Sequence, residues 1–326
     1  MNDNAPLVVI IPIYDDWIAA RQTLQEIDQA VKCHAIPFPL EVLLVDDASP
    51  TALEHPDDLN YEVIRRIRTL HLRRNLGHQR AIAIGLAYAY HHLSYRAILV
   101  MDGDGEDKPQ DIPRLVEKLL ETDERQVVFA ERARRSEGLL FTAFYHFYRL
   151  LHVSLTSIKV RFGNFCILPP KPVAALMVSA DLWNNFSATI VKSRTPYTSI
   201  PTHRGNRYAG KSKMNFTGLV LHGLSAFSVH GEIIGIRMSL MIGGISFLIA
   251  LALAFVFIAP LFSALTIPDW ASTVGKVLLV LLTQAGLLTI ASSMFALKAR
   301  SNLGFMPLRD YVLFYESIED VFPRNS

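Results

Sequence analysis

Two stretches without a single charge limit what this chain can become. Met238 to Pro268 runs for 31 residues with no Asp, Glu, Lys or Arg, and Val277 to Leu297 adds another 21. A helix crossing the hydrocarbon core needs roughly 20 apolar residues, and a helix satisfies its own backbone hydrogen bonds where no water can. The expected spans are Met238–Ala259 and Val277–Leu297. Residues 238–268 carry no polar face, which a buried helix of a water-soluble protein would show. The link between them, Pro260–Lys276, holds Pro260, Pro268, Asp269 and Trp270, and its one basic residue is Lys276 at the far end. Arg237 precedes the first span, and Lys298, Arg300 and Arg309 follow the second. Basic residues favour the cytoplasmic side, so the expectation is a multi-pass protein of the inner (plasma) membrane with both termini cytoplasmic. The opening Met1–Pro6 lacks the basic and apolar blocks of a signal peptide.

Ahead of the spans, apolar runs alternate with helical patterns. Leu7–Ile13 is continuously apolar, as a strand buried on both faces requires. Trp17, Ala20, Leu24, Ile27 and Val31 then recur on one helical face. Glu41–Val45 and Val63–Leu72 read as strands, Gln79–Leu93 as an alanine-rich helix, and Ala97–Met101 as another strand. A helix over Pro109–Glu121 turns Ile112, Leu115, Val116 and Leu119 inward, and Gln126–Ala130 closes the series. This alternation implies a doubly wound, mostly parallel α/β sheet, whose ligands sit beyond the C-terminal ends of the strands.

Acids collect at those ends. Asp15 and Asp16 follow the first strand with Tyr14, Asp46 and Asp47 follow the second, and Asp102, Asp104, Glu106 and Asp107 follow Ala97–Met101. The last group repels itself and calls for a positive charge. Mg²⁺ or Mn²⁺ suits that need, taking one or two carboxylates and filling its other positions with substrate phosphates and water. The early acids are placed for ribose or base contacts. A helix N-terminus near Pro109 would also welcome acids without any metal.

Other signals are negative. A net charge of +2 on 326 residues lacks the basic excess of a nucleic-acid footprint. Cys33 and Cys166 have no metal-ligand spacing and read as reduced structural residues. Gly205–Ser212 matches the phosphate-cradling G-x-x-x-x-G-K-S, but Thr195–Arg204 before it holds two prolines and little apolar character, where that loop needs a buried strand. Glu131–Arg135 is basic, and Phe141–Leu155 is rich in Phe, Tyr, His and Leu: a lipid head-group surface, or a solvated run before an ordinary core helix. Phe216–Ile236 reads as an interfacial helix running into the first span.

Several of these segments, in this order, resemble the family-2 glycosyltransferases, and among them the polyprenyl-phosphate sugar transferases such as dolichyl-phosphate mannose synthases and bactoprenol glucosyltransferases. Pro12-Ile13-Tyr14-Asp15-Asp16 resembles P-x-Y-N-E, Val45–Ser49 resembles V-D-D-G-S, and Arg74–Gly77 resembles R-N-x-G. Asp102–Pro109 resembles the D-A-D-L-Q-D-P-P metal segment, with Glu106 in place of Gln. Arg132 and Arg135 fit G-x-R-x-x-R, and Arg207–Lys213 resembles R-x-A-G-E-S-K with Lys211 in place of the acid. Leu224–Ser228 resembles the I-T-S-F-S before two spans, and Asn164 stands where many relatives have Asp.

The resemblance implies a GT-A-like fold followed by two transmembrane helices. It divides the chain into a cytoplasmic catalytic domain (1–213), interfacial helices (214–237), a membrane hairpin (238–297) and a cytoplasmic tail (298–326). It implies transfer of a sugar from a nucleotide sugar, UDP-glucose or similar, to polyprenyl phosphate, with inversion, in cell-envelope polysaccharide synthesis. By position, Asp104, Arg207 and Asn164 would be catalytic. Pro12, Tyr14, Asp16, Asp46, Asp47, Gly77 and Asp102 would bind the nucleotide sugar. Arg132, Arg135 and Lys213 would hold the acceptor phosphate, and Asp102, Asp104 and Glu106 a Mg or Mn divalent cation. Gly243 and Gly244 would permit close helix contact in a homo-oligomer. The rival readings are a processive polysaccharide synthase, whose Q-x-x-R-W is missing, a membrane P-loop NTPase, and a non-catalytic nucleotide-sugar or lipid-binding protein.

Overall fold

Strand β1 (Leu7–Ile13) shows why the soluble part folds as it does. All seven of its residues are buried, and alternate side chains leave a strand on opposite faces. Leu7, Val9, Ile11 and Ile13 enter one core, and Val8 and Ile10 enter a second. Helices α1 (Trp17–Cys33) and α3 (Ile112–Glu121) cover the first core through Leu24, Ile27, Leu115 and Leu119. Helix α2 (His78–His92), with the shorter α4 (Pro170–Met177) and α5 (Phe186–Lys192), covers the second.

The computed structural model describes residues 4–51, 60–132, 154–156, 162–208, 225, 227–262, 269–301 and 304–323. The remaining strands are β2 (Leu40–Asp46), β3 (Ile64–Leu72), β4 (Ala97–Val100), β5 (Val127–Arg132), β6 (Cys166–Leu168), β7 (Tyr197–Thr202) and β8 (Tyr315–Phe322). They form one mixed sheet in the order β7-β5-β6-β4-β1-β2-β3-β8. β4, β1, β2 and β3 are mutually parallel neighbours, β5 is parallel to β7, and β6 and β8 run antiparallel to their partners. The C-terminal ends of β4, β1 and β2 therefore lie side by side.

The chain divides into two compact units, one of Met1–Glu137, Val160–Val229 and Leu303–Ser326, the other of Gly138–Lys159 and His230–Asn302. The tail, which the resemblance sets apart as residues 298–326, joins the first unit from Leu303 onward. β8 extends the sheet as an edge strand, with Leu72 opposite Tyr315 and Ile67 opposite Phe322. A strand also precedes the Gly205 segment, where the sequence argues against one. β7 is an edge strand with half-exposed residues, a place where Pro201 is tolerated.

In the second unit, α6 (Gly231–Phe262) and α7 (Asp269–Ser301) pair as an antiparallel hairpin. Ser239 Oγ lies 2.8 Å from Ser292 Oγ and 2.9 Å from Ser293 Oγ, and Gly235 lets Ala296 approach closely. At 32 and 33 residues each helix is about 50 Å long, more than the ~30 Å hydrocarbon core requires. α6 also takes in Gly231–Ile236, which the sequence assigns to a separate interfacial helix. No residue there breaks a helix, and Glu232 and Arg237 fall in the surplus length. Residues 216–224 lie outside the described residues. Phe247, Leu248, Phe255, Leu287 and Met294 project outward, each more than half exposed, as lipid-facing side chains would. Both helices have the length and composition of membrane spans, which supports membrane association.

One buried carboxylate ties the strands to α1. Asp28 accepts backbone N–H groups from Glu62 at 3.1 Å, Val63 at 2.8 Å and Ile64 at 3.0 Å. Asp28→Ala would strand these donors and is expected to destabilise the first unit by about 3 kcal/mol. Denaturant unfolding checks this, and an unchanged midpoint would count against the account.

Candidate active site

The acids at the three neighbouring strand ends are drawn together by hydrogen bonds between the loops. Asp15 N–H donates to Ser49 Oγ at 2.7 Å, Thr51 Oγ1 donates to Asp15 Oδ1 at 2.6 Å, and Trp17 Nε1 donates to the Thr51 carbonyl at 2.8 Å. The loop after β1 is thus stitched to the loop after β2. Thr23 Oγ1 donates to the Gly103 carbonyl at 2.9 Å, fastening the β4 loop to α1. Tyr14 stays 43 % exposed at the rim, whereas Pro12 is buried in β1 opposite Val45.

Asp46 and Asp47 are engaged inside the fold. Asp47 accepts the N–H groups of Leu76 at 2.7 Å and Gly77 at 2.8 Å, which sets the turn that starts α2. Burial raises its carboxyl above the usual value despite those two bonds. Asp46 accepts Ser49 N–H at 2.9 Å and lies 2.9 Å from His71 Nδ1 on β3. Burial pushes Asp46 up, but the bonds from His71 and Ser49 outweigh it and hold it low. His71 in turn is raised by its bond to Asp46 and by Glu319 of β8, 3.4 Å away.

The Asp102–Asp107 loop is closed by cations from other parts of the chain. Arg207 pairs with Asp104 at 3.0 Å and with Asp16, so one guanidinium joins the ends of β4 and β1. Arg204 pairs with Glu106 at 2.5 Å, and His78 Nε2 lies 3.1 Å from Asp102 Oδ1. Asp107 accepts the Asp102 N–H at 2.9 Å, which curls the loop on itself. Residues 204–208 lie directly across it, with Gly205 N–H donating to the Glu106 carbonyl and Tyr208 N–H to the Asp104 carbonyl, both at 2.9 Å. Any larger residue at 205 would put a Cβ 2.1 Å from the Gly105 carbonyl oxygen. That close approach, not a phosphate cradle, is what Gly205 provides. Gly105 itself has φ +90 and faces the Tyr208 ring.

Desolvation raises the Asp104 carboxyl, and Asp102 and Glu106 add to the rise against the Glu106 N–H and Arg207. Desolvation opposes charge on His78, but Asp102, Asp107 and Asp104 outweigh it and raise the imidazole. Asn164 joins this group. Its amide nitrogen is 2.9 Å from His78 Nε2, and its oxygen accepts from Gln79 Nε2 at 3.1 Å. Gln79 Oε1 accepts Phe186 N–H at 2.7 Å. An amide held this way orients its neighbours.

Of the residues singled out from sequence, Asp16, Asp102, Asp104, Glu106, Asn164 and Arg207 come together, and Asp46, Asp47 and Gly77 form the adjoining loops. Arg132 ends β5 opposite Thr202, its side chain outside the described residues, as are Arg135 and Lys213. The sequence assigns no site role to His78, Gln79, Arg204 or His71. His78 and Gln79 carry the one available signal, standing directly after the Arg74–Gly77 motif.

A family model described as "Glycosyl transferase family 2" matches residues 8–173, the span that builds most of this rim. The chain belongs to glycosyl transferase family 2. It is a nucleotide-sugar-dependent glycosyltransferase. "Uncharacterized glycosyltransferase YkcC" of Bacillus subtilis (strain 168) is 28% identical over 303 residues, 86% of this chain and 88% of the relative. "Undecaprenyl-phosphate 4-deoxy-4-formamido-L-arabinose transferase" of Salmonella choleraesuis (strain SC-B67) is 29% identical over 229 residues, 68% of this chain and 67% of the relative. Among solved structures, glucosyl-3-phosphoglycerate synthase from Mycobacterium tuberculosis in complex with Mn2+, UDP-Glc and phosphoglyceric acid has a TM-score of 0.46 at 13% identity. That match covers 71% of this chain and 80% of the other.

The Asp46–His71 pair makes stability of this glycosyltransferase depend on pH. The His71 contribution is complete below the ordinary 6.5 and lost as pH rises through its higher folded value. The Asp46 contribution is present above the ordinary 3.8 and lost as pH falls through its lower folded value. His71→Gln should therefore cost most between those two pH values and progressively less above the upper one. Melting curves across pH test this, and a pH-independent cost would refute it.

Proposed function

We propose that this glycosyltransferase moves a sugar from a nucleotide sugar to polyprenyl phosphate, with inversion, at the cytoplasmic face of the membrane. The observation that carries the reading is the bridge from Asp16 through Arg207 to Asp104, which assembles a polyanion-handling rim in a chain that also has two membrane-length helices. The name of the Salmonella relative, an undecaprenyl-phosphate sugar transferase, supports the acceptor class. UDP-glucose is the donor tested first. The arrangement of sheet and helices suits the GT-A type.

The donor set fits a hard divalent cation. Asp102 and Asp104 offer carboxylate oxygens in a loop already short of positive charge, and Mg²⁺ or Mn²⁺ needs only one or two from the protein. Among the described residues no three His, Cys, Asp or Glu side chains converge as a closed cage, and Glu106 is turned to Arg204. Asp102 and Asp104 would therefore hold the ion and Glu106 would keep Arg204 in place. When bound, the ion supplies Lewis-acid neutralisation of the departing diphosphate.

The chain's own groups do the rest. Arg207 balances Asp104 and Asp16 in the free protein, and its guanidinium is placed to grip diphosphate oxygens once the donor arrives. A polyprenyl phosphate, with its second pKa near 6, is mostly dianionic at neutral pH. It has no proton to lose, so Asn164 serves without being a base: Gln79 holds its amide in place beside His78. Arg132, Arg135 and Lys213 are assigned to the acceptor phosphate, where cations offset the repulsion between two anionic substrates. Inversion follows from one in-line displacement at the anomeric carbon.

Incorporation of labelled sugar into a lipid-extractable, mild-acid-labile product tests the reading. Asp104→Asn and Arg207→Ala should each lower the rate about 100-fold or more, and a chelator should abolish it reversibly. Lys211→Ala should leave appreciable transfer, which a P-loop enzyme would not. Normal turnover by Asp104→Asn in the presence of chelator would sink the mechanism.

A further inference from the structure

The segment that follows the second long helix turns apolar side chains outward. Beyond Ser301, Pro307–Asp310 forms a helical turn, α8, continued by a 3₁₀ turn at Tyr311–Leu313. Its inner side is settled: Pro307 and Tyr311 are buried, and Tyr311 stacks on His91 with ring centroids 4.8 Å apart. Its outer side is not what water selects. Leu308, Val312 and Leu313 are 37 %, 46 % and 67 % exposed. Four-residue spacing sets Leu308 beside Val312 and Arg309 beside Leu313.

Cations border this turn. The Arg73 N–H donates to the Phe314 carbonyl at 2.9 Å, so exposed Arg73 and Arg74 lie next to Leu313 at the end of β3. Arg309 shares its charge with Asp310, 2.6 Å away. A lone exposed leucine needs no explanation, but three apolar side chains on one turn beside arginines do. Covalent continuity indicates what covers them. Leu308 is seven steps along the chain from Ser301, and at about 3.5 Å per extended step the turn lies within roughly 25 Å of the end of α7.

We propose that Leu308, Val312 and Leu313, with Arg73 and Arg74, form a surface that rests in the interfacial layer of an anionic bilayer. The apolar side chains enter the boundary between head groups and acyl chains, and the arginines hold anionic head groups. The surface lies at the same end of the sheet as the acidic rim, because β3 ends there with β1, β2 and β4. A lipid-borne acceptor would thus meet the site at bilayer level. The proposal rests on reading α6 and α7 as membrane helices and needs no particular acceptor.

Nitroxide accessibility in the full chain tests it. Cys166 is buried, and burial lifts its thiol well above the usual value, so it stays unlabelled. Exposed Cys33 ends α1, which starts at the rim and runs back, so it reports on the far end of the sheet. Leu313→Cys in a Cys33→Ser background is compared with the native Cys33 label, in vesicles of equal parts phosphatidylglycerol and phosphatidylcholine. The ratio of oxygen to aqueous nickel-chelate collisions should be several-fold higher at 313 than at 33, and Val312→Cys should agree. An aqueous reading at both 312 and 313 would overturn the proposal. So would shielding from both probes, which would mean that a second copy covers the face. Sugar transfer is measured separately in the same vesicles, so failure of the surface and failure of the acceptor assignment are told apart.

Discussion

Carboxylates brought to one end of a sheet cannot stay there uncompensated. Two like charges about 4 Å apart repel by roughly 4 kcal/mol at an effective dielectric near 20, a large fraction of a domain's stability. Asp16, Asp102, Asp104 and Glu106 pose that problem several times over. Arg207, Arg204 and His78 answer it. Because both arginines follow β7, the loop carrying them has to lie across the β4 loop, which is why Gly205 and Gly105 meet backbone to backbone. The order of the strands, the glycines and the ion pairs are one constraint seen at three scales.

The same constraint suits the chemistry of a family 2 glycosyltransferase. A rim whose charge is offset by movable side chains can give up those cations when another positive charge arrives, whereas a rim held by fixed backbone donors could not. Asp46 and Asp47 are the contrast. Their oxygens accept N–H groups from Ser49, Leu76 and Gly77, so they shape the loop after β2 and the turn before α2.

The first half of the sheet was legible because burial on both faces leaves continuous apolar runs. β1 falls at Leu7–Ile13 as read, and β2, β3, β4 and α1 to α3 differ from the reading by a residue or two at most of their ends. The strands that were missed lack that signature. β6 has three residues, β7 is an only partly buried edge strand, and β8 is an edge strand with mostly exposed side chains, Tyr-Glu-Ser-Ile-Glu-Asp-Val-Phe. Charges there discourage pairing with another chain, and they also mask the apolar alternation. The acids of the rim could be read because they end buried runs. Their partners could not: His78 and Arg204 acquire meaning only once the loops meet.

β8 also bears on how the chain meets a membrane. A strand hydrogen-bonds to a sheet only on the side of the bilayer where that sheet folds. β8 pairs with β3, in the same sheet as β1, so the chain before α6 and the chain after α7 occupy one side. A polypeptide that leaves that side must return, and two antiparallel helices of membrane length are what one crossing in each direction would require. The backbone pairing of the tail is therefore an argument for an even number of crossings that owes nothing to hydropathy.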